Sequence, residues 1–299
     1  MAHKLTFCFV MSPRVPAAEL DSVFGLLANE LRIEILRTLW AQHPESLSFS
    51  DLRSSVDIRD SGKFNYHLDV LVPKFVRKSD GEYLLTHAGR QVIGAAVSRT
   101  LTDADDVTVE DVPAGECMFC SGSLMARYEN GVATVDCAAC DDLITRMPIP
   151  PNTVANIDAE ALPEVFSKHL LTVTHQLSRG FCKLCYGQVD ASLTVFSSVE
   201  SVTHCSPLDV QFECRECGDQ THLNAGGVVM DHPAVTSLLF DAGIDLRRVY
   251  IWELTSLLDP EVTTVSEDPL QLHLTIHLNG ETLDLTLDDT ATVIAYDRR

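Results

Sequence analysis

Asp60-Ser61-Gly62-Lys63-Phe64-Asn65-Tyr66-His67-Leu68-Asp69-Val70-Leu71-Val72-Pro73 is the stretch on which the reading of this chain turns. Phe64, Leu68 and Leu71 recur at i, i+4 and i+7, the spacing that lines one face of an α-helix. Asp60 or Ser61 stands where a helix needs its N-cap, and Pro73 stands where the helix must end. A helix of this pattern buries Phe64, Leu68 and Leu71 and leaves Lys63, Tyr66, His67 and Val70 on the opposite flank. With Ser61 and Asn65, that flank offers hydroxyl, ammonium, amide and imidazole groups. These are the groups that meet phosphates and base edges in a major groove about 12 Å wide.

Working outward, Leu20 to Leu27 has helical periodicity, and Asn29 caps a second helix with Leu31, Ile35, Leu36 and Leu39 on its apolar face. A third helix begins near Ser48 or Ser50 with Leu52 and Val56 inward, and Asp57 to Asp60 is polar enough to be a turn. Downstream, Phe75-Val76-Arg77-Lys78 and Tyr83-Leu84-Leu85-Thr86 flank Ser79-Asp80-Gly81-Glu82, whose Asp-Gly pair signals a hairpin. Thr86 can cap a last helix through about Ser98. Helices followed by a turn, a helix, a hairpin and a helix within residues 17–100 are the layout of a winged helix-turn-helix DNA-binding domain. Arg77 and Lys78, beside the hairpin, are placed to reach flanking phosphates. The competing reading is a winged helix used only for protein contacts, with these side chains as a solvated face.

The run Ala28-Asn29-Glu30-Leu31-Arg32-Ile33-Glu34-Ile35-Leu36-Arg37 and the segment Asp60 to Leu68 resemble the ArsR-type winged-helix regulators of haloarchaea. The resemblance covers roughly residues 17 to 100. It implies that the helix starting near Ser61 is the recognition helix and the hairpin the wing. It also implies a homodimer built from the first and last helices, which makes Asp21 to Leu27 and Arg90 to Val97 the dimerisation candidates. Arsenic-sensing members carry a cysteine pair just before or in the recognition helix, and this sequence has none there.

Charge divides the chain the same way. Residues 1–100 hold 12 Lys+Arg against 11 Asp+Glu, and residues 101–299 hold 10 against 32, within a formal net charge of -21. Arg outnumbers Lys 16 to 6 and Asp outnumbers Glu 26 to 17, a bias that looks like adaptation to molar cytoplasmic salt. At about 1 M salt the screening length is only about 3 Å, so an acidic surface there does not by itself exclude DNA.

Eight of the ten cysteines fall into four Cys-x-x-Cys pairs. Cys117, Cys120, Cys137 and Cys140 form one set, and Cys182, Cys185, Cys214 and Cys217 form a second with a longer insert. Gly122, Gly187 and Gly218 stand just behind the pairs. Four thiolates at this spacing close a tetrahedral site around Zn(2+), so two zinc ions per chain are expected. Redox dithiols, iron-sulfur ligation and pairing of knuckles between the segments are the competing readings. Cys8 and Cys205 stand alone; Cys205, next to His204, could be a reactive thiol or a replacement ligand, and a buried structural thiol is the commoner role. His273 and His277 on the polar face of a strand could pair on a metal, and Arg247 with Arg248 could bind phosphate, while solvated groups are the ordinary reading of both.

At 299 residues, and ~100 to 200 residues per domain, two or three domains are expected. The organisation reads as an amino-terminal arm (1–16), the winged helix (17–100), an acidic linker or edge strand (101–115), a first zinc ribbon (116–147), a helical connector (148–180), a second ribbon (181–229) and a carboxyl-terminal helix and β-hairpin region (230–299). The fold class is α+β. Leu5 to Met11, ahead of Pro16-Ala17-Ala18, also fits a minimal secretory signal. No run approaches the roughly 18 apolar residues needed to span a bilayer. None of GxSxG, HExxH, GxxxxGK[ST] or GxGxxG occurs, so no enzyme class is read. The functional expectation is a cytoplasmic, sequence-specific DNA-binding transcriptional regulator. It acts as a homodimer on a pseudo-palindromic site in double-stranded DNA, and its acidic region holds a small effector or a partner surface. Its rivals are a protein-interaction factor docking onto the transcription machinery and a zinc or redox sensor.

Overall fold

Side-chain caps set the helices of the first unit. The computed structural model describes residues 17–101, 107–195 and 208–299; the expected arm at 1–16, Cys8 and Cys205 lie outside them. The elements are α1 (Ala17–Leu27), α2 (Glu30–Gln42), β1 (Leu47–Ser48), α3 (Phe49–Ser55), α4 (Ser61–Leu71), β2 (Val76–Ser79), β3 (Glu82–Leu85) and α5 (His87–Val97). Asn29 accepts from the Arg32 amide, Ser48 from Asp51, Asp60 from Lys63 and Thr86 from Gly89. Each thereby satisfies an amide that the first helical turn leaves without a partner.

The three strands pair in the order β1-β3-β2, and Asp80 and Gly81 turn the hairpin with φ of 52° and 86°. Leu36 and Leu39 of α2, Leu52 of α3, Phe64, Leu68 and Leu71 of α4, Val76 and Leu85 of the hairpin and Ile93 of α5 share one core. Phe49 meets the Phe64 ring edge-on at 5.2 Å between centroids. At about 1.5–3 kcal/mol per large apolar side chain buried, Phe64, Leu68 and Leu71 decide which flank of α4 faces inward. In contrast, α1 has no buried residue.

The second unit comprises residues 107–149 and 153–299. A four-stranded antiparallel sheet runs β4 (Val109–Glu116), β5 (Ser123–Glu129), β6 (Val132–Cys137), β7 (Leu143–Pro148). Then come α6 (Leu162–Ser178) and a three-stranded sheet of order β10-β9-β8, from β8 (Val189–Val195), β9 (Leu208–Cys214) and β10 (Gln220–Asn224). The chain closes with α7 (Ala225–Val228), α8 (Pro233–Asp241), α9 (Thr255–Leu258) and a sheet β11 (Glu261–Glu267), β12 (Leu270–Leu278), β13 (Glu281–Leu287), β14 (Val293–Arg298).

Of the two readings for the acidic segment, linker or edge strand, residues 109–116 take the second and pair with β5. The ribbons, connector and carboxyl-terminal region are not separate modules, since their apolar residues join one core. Trp252, 2% exposed, donates its indole N–H to the Ala114 carbonyl of β4 at 2.8 Å and lies 5.9 Å from the Phe166 ring of α6. The Ser167 hydroxyl of α6 accepts from the Ile251 amide at 2.8 Å. The apolar stretch from Val249 to Leu258 is too short to bury itself, so it fills the space between α6 and β4. No helix among the described residues is long and apolar enough to cross a membrane.

Candidate functional site

On the outward flank of α4, Ser61, Lys63, Asn65 and Tyr66 are exposed, Tyr66 by 63%. Arg77 and Lys78 are exposed on β2, and the Lys78 ammonium sits 5.2 Å from the Tyr83 ring centre. The Asn65 amide donates to Asp69 at 2.7 Å, one turn on, so a base edge would have to compete with that bond. His67 does not join this flank. It is 8% exposed, because three residues after Phe64 and beside Leu68 it falls on the inward side of the helix. Burial, aided by the positive charges of Arg32 and Lys63, holds its pKa below the usual imidazole value. Its Nδ1 and the neighbouring Arg32 Nε are buried with no hydrogen-bond partner.

An unpaired buried polar atom costs about 1–3 kcal/mol, so His67→Leu is expected to raise stability by about 1 kcal/mol and to leave DNA preference unchanged. Thermal melting with a parallel DNA titration checks both. A relaxed preference at one base pair would return His67 to the reading flank.

Charge pairing separates the two units. Of the ten Lys and Arg in residues 17–101, Arg37 alone forms an ion pair among the described residues, with Glu34 at 2.9 Å. Of the ten in residues 107–299, nine are ion-paired, and Arg146 has no ion pair among the described residues. Sequence reasoning passed over Arg59 and Lys74, which are also exposed near α4.

The eight paired cysteines assemble into two clusters. Cys117 with Cys120, Cys137 and Cys140 makes one, and Cys182 with Cys185, Cys214 and Cys217 the other, each with its sulfurs within 4.8 Å of one another. No knuckle is shared between the two segments. Sulfur separations are 3.9 Å for Cys117–Cys140, 3.5 Å for Cys120–Cys137, 3.7 Å for Cys182–Cys217 and 3.5 Å for Cys185–Cys214. A disulfide needs about 2.05 Å, whereas four sulfurs at ~2.3 Å from a tetrahedral ion stand about 3.8 Å apart. The donor set therefore fits a four-coordinate thiophilic metal, which among biological ions is zinc or iron.

All four knuckles use one backbone pattern. The first cysteine amide bonds the carbonyl five residues on, as in Cys117 to Gly122 at 2.8 Å, Cys137 to Asp142 at 3.0 Å, Cys182 to Gly187 at 2.8 Å and Cys214 to Asp219 at 2.9 Å. The residue after the second cysteine takes positive φ: Ser121 57°, Asp141 59°, Tyr186 60°, Gly218 72°. Amides point at the sulfurs from Phe119, Gly122, Ala139, Leu184, Gly187 and Glu216 at 3.3–3.4 Å. Those of Ala139 and Cys140 lower the Cys137 thiol to about 7. At Cys214, burial opposes ionisation, yet the amides of Cys217 and Glu216 prevail and bring it to about 7 as well.

A family described as a domain of unknown function (DUF7351) matches residues 114–293, three fifths of the chain and both cysteine clusters. The chain belongs to the DUF7351 family. A second domain of unknown function (DUF7347) matches residues 20–96, the helical unit. Comparison with curated proteins and with solved structures finds no match.

Within the DUF7351 region, Gly122 and Gly187 occupy equivalent places for want of space, not for backbone freedom. A Cβ on Gly122 would stand 2.6 Å from the Ala139 Cβ, a rigid neighbour, and 3.1 Å from the Cys120 sulfur. On Gly187 it would meet the Glu216 Cγ at 2.8 Å and Cβ at 3.0 Å, of which the Cγ can give by rotation where the Ala139 methyl cannot. Gly122→Ala is therefore expected to cost about 1–3 kcal/mol, weakening the first cluster's hold on its ion about ten- to a hundredfold, while Gly187→Ala costs less. Competition of the two variants with a chelator of graded strength decides it, and equal metal affinity would show that the close approach does not matter.

Proposed function

We propose that this chain is a sequence-specific DNA-binding transcriptional regulator. Residues 17–101 act as an ArsR-type winged helix, and the two cysteine clusters bind zinc as the structural ions of two ribbons. The observation that carries the reading is the contrast in charge pairing. In one unit Arg59, Lys63, Lys74, Arg77 and Lys78 are exposed and form no ion pair among the described residues, while in the other the cations are nearly all neutralised in place. Phosphate contact needs free cations, and they are concentrated where α4 and the β2–β3 hairpin lie. The four-sulfur clusters leave no open position for a catalytic water, so the ions serve folding.

The active form is proposed to be a homodimer. Leu20 and Phe24 of α1 are exposed, Phe24 by 63%, and α2 with α5 forms a groove of about 540 Å3 lined by Ile33, Trp40, Val92 and Val97. A second copy that covers these apolar surfaces sets two α4 helices on half-sites about one DNA turn apart.

Binding of the full chain to the upstream region of its own gene, in molar potassium chloride, tests the reading. A complex that survives competition by random duplex supports it, and absence of any sequence-selective complex overturns it. A second reading, docking onto the transcription machinery, draws support from Phe181, Leu184 and Tyr186, which stand exposed around one knuckle of the second cluster. It predicts a complex with a protein of that machinery and none with DNA alone.

A further inference from the structure

We propose that the outer face of the β5–β6–β7 sheet binds a small carboxylic acid, held between Arg127 and Arg146. In register, Arg127 of β5 stands opposite Thr134 of β6, and Thr134 stands opposite Arg146 of β7. One row across three strands therefore reads arginine, threonine, arginine on a single face. The row lines a cavity of about 280 Å3, with Val132 and Leu143 among its other walls.

One group in this cavity lacks what its surroundings would ordinarily give it. Residues 101–299 hold 32 carboxylates against 10 cations, yet Arg146 has no ion-pair partner among the described residues, while the other nine cations do. Thr134 is 8% exposed, and its hydroxyl, which makes no hydrogen bond among the described residues, stays within reach of solvent on the cavity side. Arg127 donates to Asp136 at 2.5 Å and lies 3.8 Å from Asp111, which fixes its guanidinium at the opposite side of Thr134. An oxyanion over Thr134 would receive the hydroxyl proton and the planar fork of Arg146, the geometry that suits a carboxylate.

The rim sets the class of ligand. Asp111, Asp136 and Glu129 surround Arg127 with negative charge, which repels a nucleic acid or any other polyanion. Val132 and Leu143 give the cavity an apolar wall, and its volume falls just under the roughly 300 to 1,000 Å3 of ordinary ligand sites, which leaves room only for a small molecule. A single carboxylate on a short aliphatic body meets all three conditions. The site is independent of the proposed DNA contact, and its assay contains no DNA.

Titration of the zinc-loaded full chain with propionate, followed by arginine Nε–H NMR shifts at constant ionic strength, tests the site. Propionamide is the neutral comparator and inorganic phosphate the bare oxyanion. Propionate is expected to saturate and propionamide to show no binding. Loss of a charge-assisted pair should make Arg146→Gln bind propionate about tenfold more weakly or worse, and loss of the hydroxyl should cost Thr134→Val several-fold. Arg248→Ala, which removes another exposed cation, is expected to bind as the parent does. Metal content and circular dichroism confirm that each variant is folded. The proposal is overturned if propionate does not saturate, if Arg146→Gln binds it unchanged, if propionamide binds as well, or if phosphate binds more tightly than propionate.

Discussion

Stripping the metal with a strong chelator is expected to release about two zinc ions per chain and to unfold residues 107–299, while residues 17–101 keep their helices. Four-thiolate sites contribute about 10–16 kcal/mol to the folding of small zinc domains near neutral pH, against a total stability of about 5–15 kcal/mol for an ordinary domain. Loss of either ion therefore exceeds what the unit can spare. The second cluster is the more exposed to this loss, because its three-stranded sheet contributes little beyond Leu193, Val210 and Phe212 to the apolar core. Without the ion, the knuckles at Cys182 and Cys214 no longer hold β8 against β9. The helical unit has a core of its own around Ile35, Phe64 and Leu68 and no cysteine among its described residues. Metal analysis with far-UV circular dichroism, before and after chelation and after zinc is restored, reads the result. Two separate thermal transitions, of which only one responds to chelator, are the expected pattern; a single transition indifferent to metal would refute it.

The same logic explains what could be read from the sequence. The Cys-x-x-Cys spacing was sufficient because metal geometry is nearly independent of the surrounding fold, so eight residues declared themselves and paired within segments. The four helix caps at Asn29, Ser48, Asp60 and Thr86 were legible because capping is local chemistry within four residues. His67 was misplaced because it falls at the border of the α4 stripe, three residues after Phe64 and beside Leu68, where packing against the rest of the unit decides which side it joins. The carboxyl-terminal hairpin was visible in the alternation of Leu272, Leu274 and Ile276 with Leu283, Leu285 and Leu287, all buried. Its flanking strands β11 and β14 were not. Edge strands bury little, as exposed Val265, Ile294 and Tyr296 show, and so carry no alternation to read. β4 was legible only as one of two readings, because acidic composition marks an edge strand as readily as a linker. The row of Arg127, Thr134 and Arg146 left no trace in sequence because it exists only after three strands are brought into register.

Removing three cations from the proposed DNA face is expected to weaken binding strongly at low salt and hardly at all at high salt. Lys63, Arg77 and Lys78 lie on α4 and β2, exposed and in no ion pair among the described residues. Each phosphate contact contributes about 0.9 to the slope of log K against log salt, so Lys63→Ala/Arg77→Ala/Lys78→Ala should reduce that slope by about 2.7. At about 0.1 M salt this is a loss of between two and three orders of magnitude, shrinking toward none near 1 M. The convergence matters because a misfolded variant would stay weak at every salt concentration. It also assigns the remaining groups their part. If the acidic composition reflects a cytoplasm of molar salt, the phosphate term is nearly spent there, and discrimination must come from groups that touch base edges. Asn65 and Tyr66 are the exposed candidates on α4, and replacing a good base-edge contact costs about 1–3 kcal/mol at one base pair. Asn65→Ala should therefore relax preference at one position with the salt slope intact, the opposite signature to the cation variants. Titration of specific and random duplex across the salt range separates the two, and a slope unchanged by the triple substitution would remove α4 and β2 from the DNA interface.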